Sequence, residues 1–222
     1  MKILALDTTS EFGSLALAEG DRIVEAAEVY SPDGFGHVIF QEVLSLLGRQ
    51  GWKLESIDCY AAASGPGSFT GVRVGLTAVK GLAEAQGKRV VAVSNLLALA
   101  YAGEGDWRAT LIDARRGEIY GAVYDASLRP VVDEMVVSLP RFLEALGERE
   151  VTFVATDFIP FQAGLRGTRF EGSRVVTVRR ALAGPIAGLA ARAFAEGRAL
   201  LPEQVEANYV RRSDAELKWK GE

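Results

Sequence analysis

The segment that most constrains the fold is the glycine-rich run Ser64-Gly-Pro-Gly-Ser-Phe-Thr-Gly-Val-Arg73. The apolar residues 57–63 before it predict a buried strand, and the pattern from residue 69 to residue 86 predicts a helix. Ser68 is a suitable N-cap, because its hydroxyl oxygen can accept a backbone N–H group of the first helical turn. The sequence therefore predicts a strand, a tight turn and a helix in succession.

The predicted helix 69–86 has an unusual surface, because Gly71, Gly75 and Ala78 form a ridge without large side chains. Glycine inside a helix costs roughly 1 kcal/mol relative to alanine. Two glycines one turn apart therefore need a structural reason, such as the close approach of another backbone. We interpret the ridge as a surface on which a second helix lies.

A second predicted helix, 37–48, has two apolar faces. Ile39 and Val43 belong to one face, and Phe40 and Leu44 belong to the other. Because a surface helix normally buries one such face, the second face predicts contact with another chain. The candidate partner-binding residues on the two helices are Phe40, Leu44, Phe69, Gly71, Val72, Arg73, Gly75 and Leu76.

Composition excludes several classes of protein. The 222 residues are 49% apolar and 24% charged, which is typical of a soluble globular protein with one large domain or two lobes. A net charge of −4 disfavours nucleic-acid binding by the chain as a whole. The single cysteine, Cys59, excludes an internal disulfide.

The start of the chain lacks a signal peptide, and the longest apolar run, 90–102, is too short for a bilayer, so we expect a cytoplasmic protein without membrane contact.

The pattern of strands and helices is repeated along the chain. Three strands, a helix, a strand and a helix begin at Lys2, and a similar series begins at Arg108 after the glycine-containing segment 103–106. This predicts an α/β protein of duplicated βββαβα units with mixed sheets, divided into lobes 1–102 and 103–222. The sequence does not decide whether the helix at 183–197 and the tail pack back against the first lobe.

Asp7 and Asp113 end the first strand of each repeat, so we expect both at the mouth of a cleft between the lobes. Facing aspartates suit a metal ion beneath nucleotide phosphates, and Thr8 and Thr9 offer hydroxyl groups to a phosphate. Strand-end aspartates also cap turns, and the sequence does not separate the two interpretations. The bulky segment 156–160 weakens the nucleotide interpretation. We expect no resident cofactor, with weak ATP or ADP binding with Mg²⁺ left open.

The sequence lacks the residues that other catalytic chemistries need. The glycine-rich run does not match a phosphate-binding loop ending in Gly-Lys-Ser or Gly-Lys-Thr, nor the dinucleotide fingerprint. His37 is the single histidine, so neither a two-histidine zinc site nor a Ser-His-Asp triad is expected. We therefore predict no catalytic residues and no metal site. The basic, aromatic segments 208–212 and 218–220 indicate a solvated tail or a contact with RNA phosphates.

The chain resembles the TsaB family, also called YeaZ, of the actin-like ATPase superfamily. The resemblance rests on these motifs: Leu4–Ser10, His37, Ser64–Leu76, Lys80-Gly-Leu82 and Ile112–Tyr120. In the C-terminal half the likeness is looser. Asp157-Phe158 replaces a glycine-rich turn common in the family, and Asn208 stands where proline is common.

The resemblance implies a two-lobed actin-like, or ribonuclease H-like, fold and a role in making threonylcarbamoyladenosine beside the anticodon of tRNA. It implies a non-catalytic scaffold that pairs with the transferase TsaD, or with a second copy of itself. TsaC and TsaE act in the same pathway, and tRNA is reached through the complex. The alternative is an ATP-dependent kinase or ATPase that uses Asp7 and Asp113. A metallopeptidase is rejected, because the chain lacks a second histidine.

Overall fold

The computed structural model describes residues 1–211, which divide into two compact units. Unit 1 contains residues 1–98 and 180–208, and unit 2 contains residues 99–179 and 209–211. The boundary expected after residue 102 is close to the observed one. Residues 180–208, whose packing the sequence left open, belong to unit 1, because this segment packs on its sheet.

Unit 1 is built on a five-stranded mixed sheet. Its strands are β1 (Lys2–Asp7), β2 (Phe12–Glu19), β3 (Arg22–Tyr30), β4 (Cys59–Gly65) and β5 (Arg89–Ser94). The order is β3-β2-β1-β4-β5, in which β2 is antiparallel to both β1 and β3, whereas β4 runs parallel to both β1 and β5. Strands β1 and β4 are apolar along nearly their whole length, because both faces of the sheet are covered.

Helices cover the two faces of this sheet. Helices α1 (Ile39–Arg49) and α2 (Phe69–Gln86) pack on one face, where their apolar side chains join those of Leu15 and Leu17 in one core. Helix α3 (Asn95–Ala102) follows β5. Helix α6 (Ala183–Ala195) crosses the opposite face, where the backbone N–H of Ala183 donates to the Ser14 hydroxyl over 3.0 Å.

The start of α1 differs from the prediction. The helix begins at Ile39, so His37 lies in the turn before it and its side chain is exposed. Helix α2, in contrast, has the predicted bounds. Ser68 is its N-cap, since the Ser68 hydroxyl accepts a hydrogen bond of 3.3 Å from the backbone N–H of Gly71.

Unit 2 repeats the topology of unit 1. Its strands are β6 (Trp107–Arg115), β7 (Glu118–Asp125), β8 (Pro130–Ser138), β9 (Thr152–Ala155) and β10 (Val175–Thr177). The sheet order is β10-β9-β6-β7-β8, with the antiparallel and parallel pairs in the same places as in unit 1. Helix α4 (Leu139–Leu146) precedes β9, as α1 precedes β4. The predicted duplication is therefore confirmed.

Helix α5 (Ile159–Leu165) of unit 2 was not expected from the sequence. It forms because Phe158, Phe161 and Leu165, spaced three and four residues apart, are buried in the unit 2 core beside Phe153. Among the described helices of both units, none combines the length and apolar character needed to cross a bilayer.

Candidate functional site

The turn between β1 and β2 packs on the glycine-rich segment. The Thr8 hydroxyl donates to the carbonyl oxygen of Gly71 over 2.7 Å, and the backbone N–H of Ser68 donates to the carbonyl oxygen of Thr9 over 2.7 Å. Thr8 and Thr9 are both buried. The predicted phosphate-binding turn and the start of α2 thus form one compact structure.

The glycines of α2 make this contact possible. A Cβ atom added to Gly75 would lie 2.6 Å from Thr8 Oγ1, and one added to Gly71 would overlap the carbonyl oxygen of Thr8. In the turn before the helix, a Cβ at Gly67 would lie 2.7 Å from Thr9 Cβ. The expectation of a second helix on the ridge is therefore wrong, because the β1–β2 turn of the same unit occupies it.

Asp7 lies at the end of β1 with 4% of its surface exposed. Its Oδ1 atom accepts hydrogen bonds from the backbone N–H of Thr9, over 3.0 Å, and from the Thr9 hydroxyl, over 2.6 Å. Burial raises the pKa of the Asp7 carboxyl above its ordinary value, and the bonds from Thr9 act in the opposite direction. The carboxyl group thus serves as the cap of its own turn.

Asn95 completes this network, and the sequence analysis did not identify it. Its side-chain amide donates to the Thr9 hydroxyl over 2.8 Å, while its oxygen accepts the backbone N–H of Gly65 over 3.1 Å. Asn95 is buried at the start of α3. A polar amide inside the apolar run 90–102 was the available signal, since such a group is buried only with hydrogen-bond partners.

The two threonine hydroxyl groups of this turn have hydrogen-bond partners within unit 1. The hydroxyl protons of Thr8 and Thr9 are donated to Gly71 and Asp7 within unit 1. The space beside Gly71 and Gly75, where a phosphate could approach backbone N–H groups, is filled by Thr8. A phosphate would have to displace these bonds before it could use either hydroxyl group.

Asp113 belongs to unit 2 and is engaged within that unit. Its carboxylate accepts the backbone N–H of Arg115 over 2.8 Å and pairs with the Arg115 guanidinium at 3.4 Å. Asp7 and Asp113 thus each accept the N–H group two residues further along the chain. Both aspartates therefore cap turns, which is one of the two interpretations that the sequence left open.

The eight predicted partner-binding residues fall into two groups. Gly71, Val72, Gly75 and Leu76 are buried in their own unit, on the inner side of α2, so their place on an exposed surface was predicted wrongly. The other four residues are exposed on the outer sides of α1 and α2, and we call them the outer helix face: Phe40, Leu44, Phe69 and Arg73.

The outer helix face is apolar apart from one arginine. Phe40 and Leu44 are 52% and 59% exposed. On α2, the Arg73 guanidinium lies over the Phe69 ring, 3.8 Å from its centroid. This contact holds the cation against an aromatic surface, as is common for arginine in protein interfaces.

Comparison with known proteins places these observations in one family. A family model described as "TsaD: tRNA N6-adenosine threonylcarbamoyltransferase" matches residues 37–174. A Bacillus subtilis protein named tRNA threonylcarbamoyladenosine biosynthesis protein TsaB is 33% identical over 164 residues, which cover 71% of this chain and 72% of the relative. This chain belongs to the TsaB (YeaZ) family.

The Escherichia coli TsaB protein is 38% identical over 131 residues, or 56% of this chain. The matched region spans about half of that relative's length, 55%. A solved structure from Pseudomonas aeruginosa, described as an uncharacterized protein with similarity to peptidase YeaZ, has a TM-score of 0.78 and 29% identity. It covers 95% of this chain, and 99% of its own length is matched.

The actin-like ATPase fold of the TsaB family is shared with more distant proteins. The activator of 2-hydroxyisocaproyl-CoA dehydratase from Clostridium difficile, solved with bound ADPNP, has a TM-score of 0.56 at 12% identity. At this identity the likeness shows the fold alone. The predicted fold class is confirmed.

Two departures from the TsaB pattern have structural explanations. Phe158 is buried in the aromatic core of unit 2, and the Asp157 carboxylate accepts the backbone N–H of Ile159 over 3.0 Å. The backbone N–H of Asn208 donates to the carbonyl oxygen of Ser64 over 2.8 Å, a bond that proline cannot make. The predicted basic tail falls partly outside the described residues, since Arg212 and residues 218–220 lie beyond them.

Two further candidates are the Cys59 thiol and a possible metal site. Burial raises the pKa of the Cys59 thiol to about 12, which is the environment of an unreactive core thiol. Within residues 1–211, no three His, Cys, Asp or Glu side chains are grouped so that they could hold a metal ion.

Proposed function

We propose that this chain is the non-catalytic subunit of a tRNA threonylcarbamoyltransferase complex, and that it binds the transferase TsaD through the outer helix face. The names of the E. coli and B. subtilis relatives support a role in threonylcarbamoyladenosine formation. The observation that carries the proposal is the exposure of three large apolar side chains, Phe40, Leu44 and Phe69, on two helices that share one core.

The outer helix face has the composition of an interface core. Aromatic residues and arginine are enriched in such cores, whereas most charged residues are depleted. Full burial of a leucine or phenylalanine side chain contributes about 1.5–3 kcal/mol. Three such side chains, with a stacked arginine, can therefore act as the anchors of a stable contact.

The same surface accounts for two modes of assembly. In the presence of TsaD it forms the heterodimer, and without TsaD it pairs with a second copy of this chain. TsaC and TsaE act in the same pathway, and tRNA is positioned by the complex. The chain acts in the cytoplasm, together with these partners.

The transfer reaction is assigned to the partner rather than to this chain. One histidine cannot supply a two-histidine metal site. We infer further that the chain needs no nucleotide of its own, because Asp7, Thr8 and Thr9 are committed to one another and to α2. The competing proposal is an ATP-dependent kinase or ATPase that uses Asp7 and Asp113.

The pairing is tested by mixing the purified chain with TsaD and measuring the mass of the complex by light scattering. We expect a heterodimer with the wild-type chain and loss of most of the complex with Leu44→Glu. The matched control is Ile159→Glu, which places the same charge at an apolar side chain that is 75% exposed on unit 2. Equal complex formation by the two variants would overturn the assignment of the surface.

The competing proposal is tested by calorimetry with ATP and Mg²⁺. We expect no tight binding and no turnover by this chain alone. Tight binding with turnover that disappears in Asp7→Ala would show that the nucleotide interpretation is correct and that the chain is an enzyme.

A further inference from the structure

The hairpin that joins β6 to β7 has an unusual tip. Arg115 pairs with Glu118 across the hairpin, so Arg116 and Gly117 form a two-residue loop. Arg115, Arg116 and Gly117 have φ angles of 63°, 58° and 77°. Three consecutive residues therefore adopt left-handed backbone conformations, and two of them are arginines.

Arginine is a poor choice for this backbone. Two-residue loops of this kind strongly favour Asn-Gly, and glycine is the usual residue wherever φ is positive. The pairing register shifts between Asp113 and Arg115, which is a second place where glycine is usual. Non-glycine residues in such conformations cluster at functional positions, where a property of the side chain outweighs the strain.

The side-chain property in question is exposed positive charge. The Arg115 side chain is 87% exposed, and Arg116 is also exposed. A third guanidinium comes from Arg211, which donates to the carbonyl oxygen of Ala114 over 2.9 Å and lies 5.5 Å from the centroid of the Tyr120 ring. Positive charge from two distant parts of the sequence is thus gathered at one hairpin.

Two carboxylates lie in the same cluster. Asp113 pairs with Arg115, and Glu118 pairs with Arg211. Among the described residues, the tip thus brings three guanidinium groups together on a chain whose net charge is −4. Exposed ion pairs contribute little stability, so a stronger anion can compete for these guanidinium groups.

We propose that the β6–β7 hairpin tip, with Arg115 and Arg116, is a direct binding site for RNA phosphates. A guanidinium group presents paired N–H donors that match phosphate oxygens. A two-stranded ribbon with a charged tip is narrow enough to reach the phosphates that border the wide, shallow minor groove of an RNA helix. The choice of tRNA as the RNA rests on the proposed function. Phosphate contacts of this kind position an RNA without reading its sequence.

The inference is tested with the double variant Arg115→Gly/Arg116→Asn, which gives the loop residues that its backbone favours. We measure binding of a fluorescent tRNA transcript to the full chain by anisotropy at about 50 mM salt and above, since phosphate contacts weaken with salt. The variant is expected to bind about tenfold more weakly, and the slope of log K against log salt should become shallower by about 2.

Thermal unfolding of the same variant separates a binding role from a structural one. Because strain is removed, we expect its Tm to rise by about 2–4 °C while tRNA binding falls. A lower Tm would show that the arginines are required for folding and would overturn the inference. The matched control is Arg22→Gln/Arg198→Gln, which removes two exposed arginines of unit 1 and should change the tRNA affinity less than about twofold.

Two further outcomes contradict the inference. The first is equal tRNA binding by the hairpin variant and the control, or an absence of tRNA binding by the wild-type chain at the lowest salt. The second is intact tRNA binding with lost binding of TsaD, which would assign the hairpin to an acidic protein surface. If the chain fails to pair with TsaD but its tRNA binding still depends on these arginines, the proposed function fails and the hairpin site stands.

Discussion

The Thr8 hydroxyl donates a hydrogen bond of 2.7 Å to the carbonyl oxygen of Gly71, inside the first turns of α2. The partner of the glycine ridge is therefore a turn of the same unit. Close packing needs glycine at positions 71 and 75, because Thr8 occupies the volume of any side chain there. The glycine-rich segment thus fixes the β1–β2 turn on α2, and the outer side of the helix stays exposed.

Gly71→Ala is expected to destabilise the chain strongly. The added methyl group would overlap the Thr8 carbonyl oxygen, and a backbone atom cannot move aside as a flexible side chain can. Overpacking of this kind costs about 1–3 kcal/mol or more, which exceeds the roughly 1 kcal/mol that alanine gains over glycine in a helix. Urea unfolding of the full chain measures the difference.

Gly81→Ala in the same helix is the matched control. A Cβ atom at position 81 has no neighbour within 4 Å, so the substitution should stabilise the chain by about 0.5–1 kcal/mol. If both variants shifted the unfolding midpoint in the same direction, the explanation of the ridge would be wrong.

Asn95→Ala is expected to cost about 2–3 kcal/mol of unfolding free energy. The substitution removes the bond to the Thr9 hydroxyl and leaves the buried N–H of Gly65 without its acceptor. Denaturant unfolding checks the size of the effect. The control is Ser10→Ala, which removes an exposed hydroxyl and should change the stability by less than about 0.5 kcal/mol. A loss as small as that of the control would show that Asn95 does not support the turn.

The predicted bounds of α2, Phe69 and Gln86, agree with the structure, because its start and end depend on nearby residues. Ser68 caps the first turn, and Gly87 ends the helix with a φ angle of 60°. The strand duplication is equally readable, since apolar runs and turns recur in the same order in both halves. Such local signals act over a few residues of sequence.

The contacts that were missed join residues far apart in the sequence. Thr8 and Gly71 are 63 positions apart, and Asn95 and Thr9 are 86 positions apart. A ridge of glycines predicts a close neighbour but not which neighbour. Likewise, the apolar pattern of α6 predicts a buried helix without showing which of two similar sheets it covers, so the sequence left the packing of this segment open.

The raised pKa of Asp7 predicts a characteristic pH dependence. Its folded-state pKa lies above the unfolded value of 3.8, so the folded state holds the proton more tightly. The stability contributed by this group is fully present below pH 3.8 and is lost as the pH rises through the folded pKa. Asp7→Asn keeps an acceptor oxygen for Thr9 and does not titrate. Relative to this variant, the wild-type chain should therefore become less stable from acid to neutral pH.

The comparison with Asp125→Asn should show the opposite trend: relative to this variant, the wild-type chain should become more stable as the pH rises from acid. Hydrogen bonds from Arg129 hold the pKa of the Asp125 carboxyl below its ordinary value. Its contribution is present above pH 3.8 and is lost as the pH falls through the folded pKa. Denaturant unfolding of both variants and the wild type, at several pH values from about 2 to 8, compares the trends. Parallel curves for Asp7→Asn and the wild type would contradict the assignment.

The chain after α6 returns across unit 1 and is held by Lys80. Leu200 pairs with Val90 through two backbone hydrogen bonds of 2.9 Å, and Val205 is buried in the core. The Lys80 ammonium donates to the carbonyl oxygen of Val205 over 3.0 Å. We therefore expect Lys80→Met, which keeps most of the apolar stem but removes the donor, to destabilise unit 1 by about 1–2 kcal/mol.

Hydrogen exchange localises this effect. The backbone N–H of Asn208, bonded to the carbonyl oxygen of Ser64, should exchange faster in Lys80→Met, because the segment that places it is held less tightly. The N–H groups of β1, at the centre of the sheet, should show the smallest local change. Lys53→Met alters an exposed lysine of the same unit and serves as the control. Unchanged exchange at Asn208 with lowered global stability would mean that Lys80 acts through the helix rather than through the returning segment.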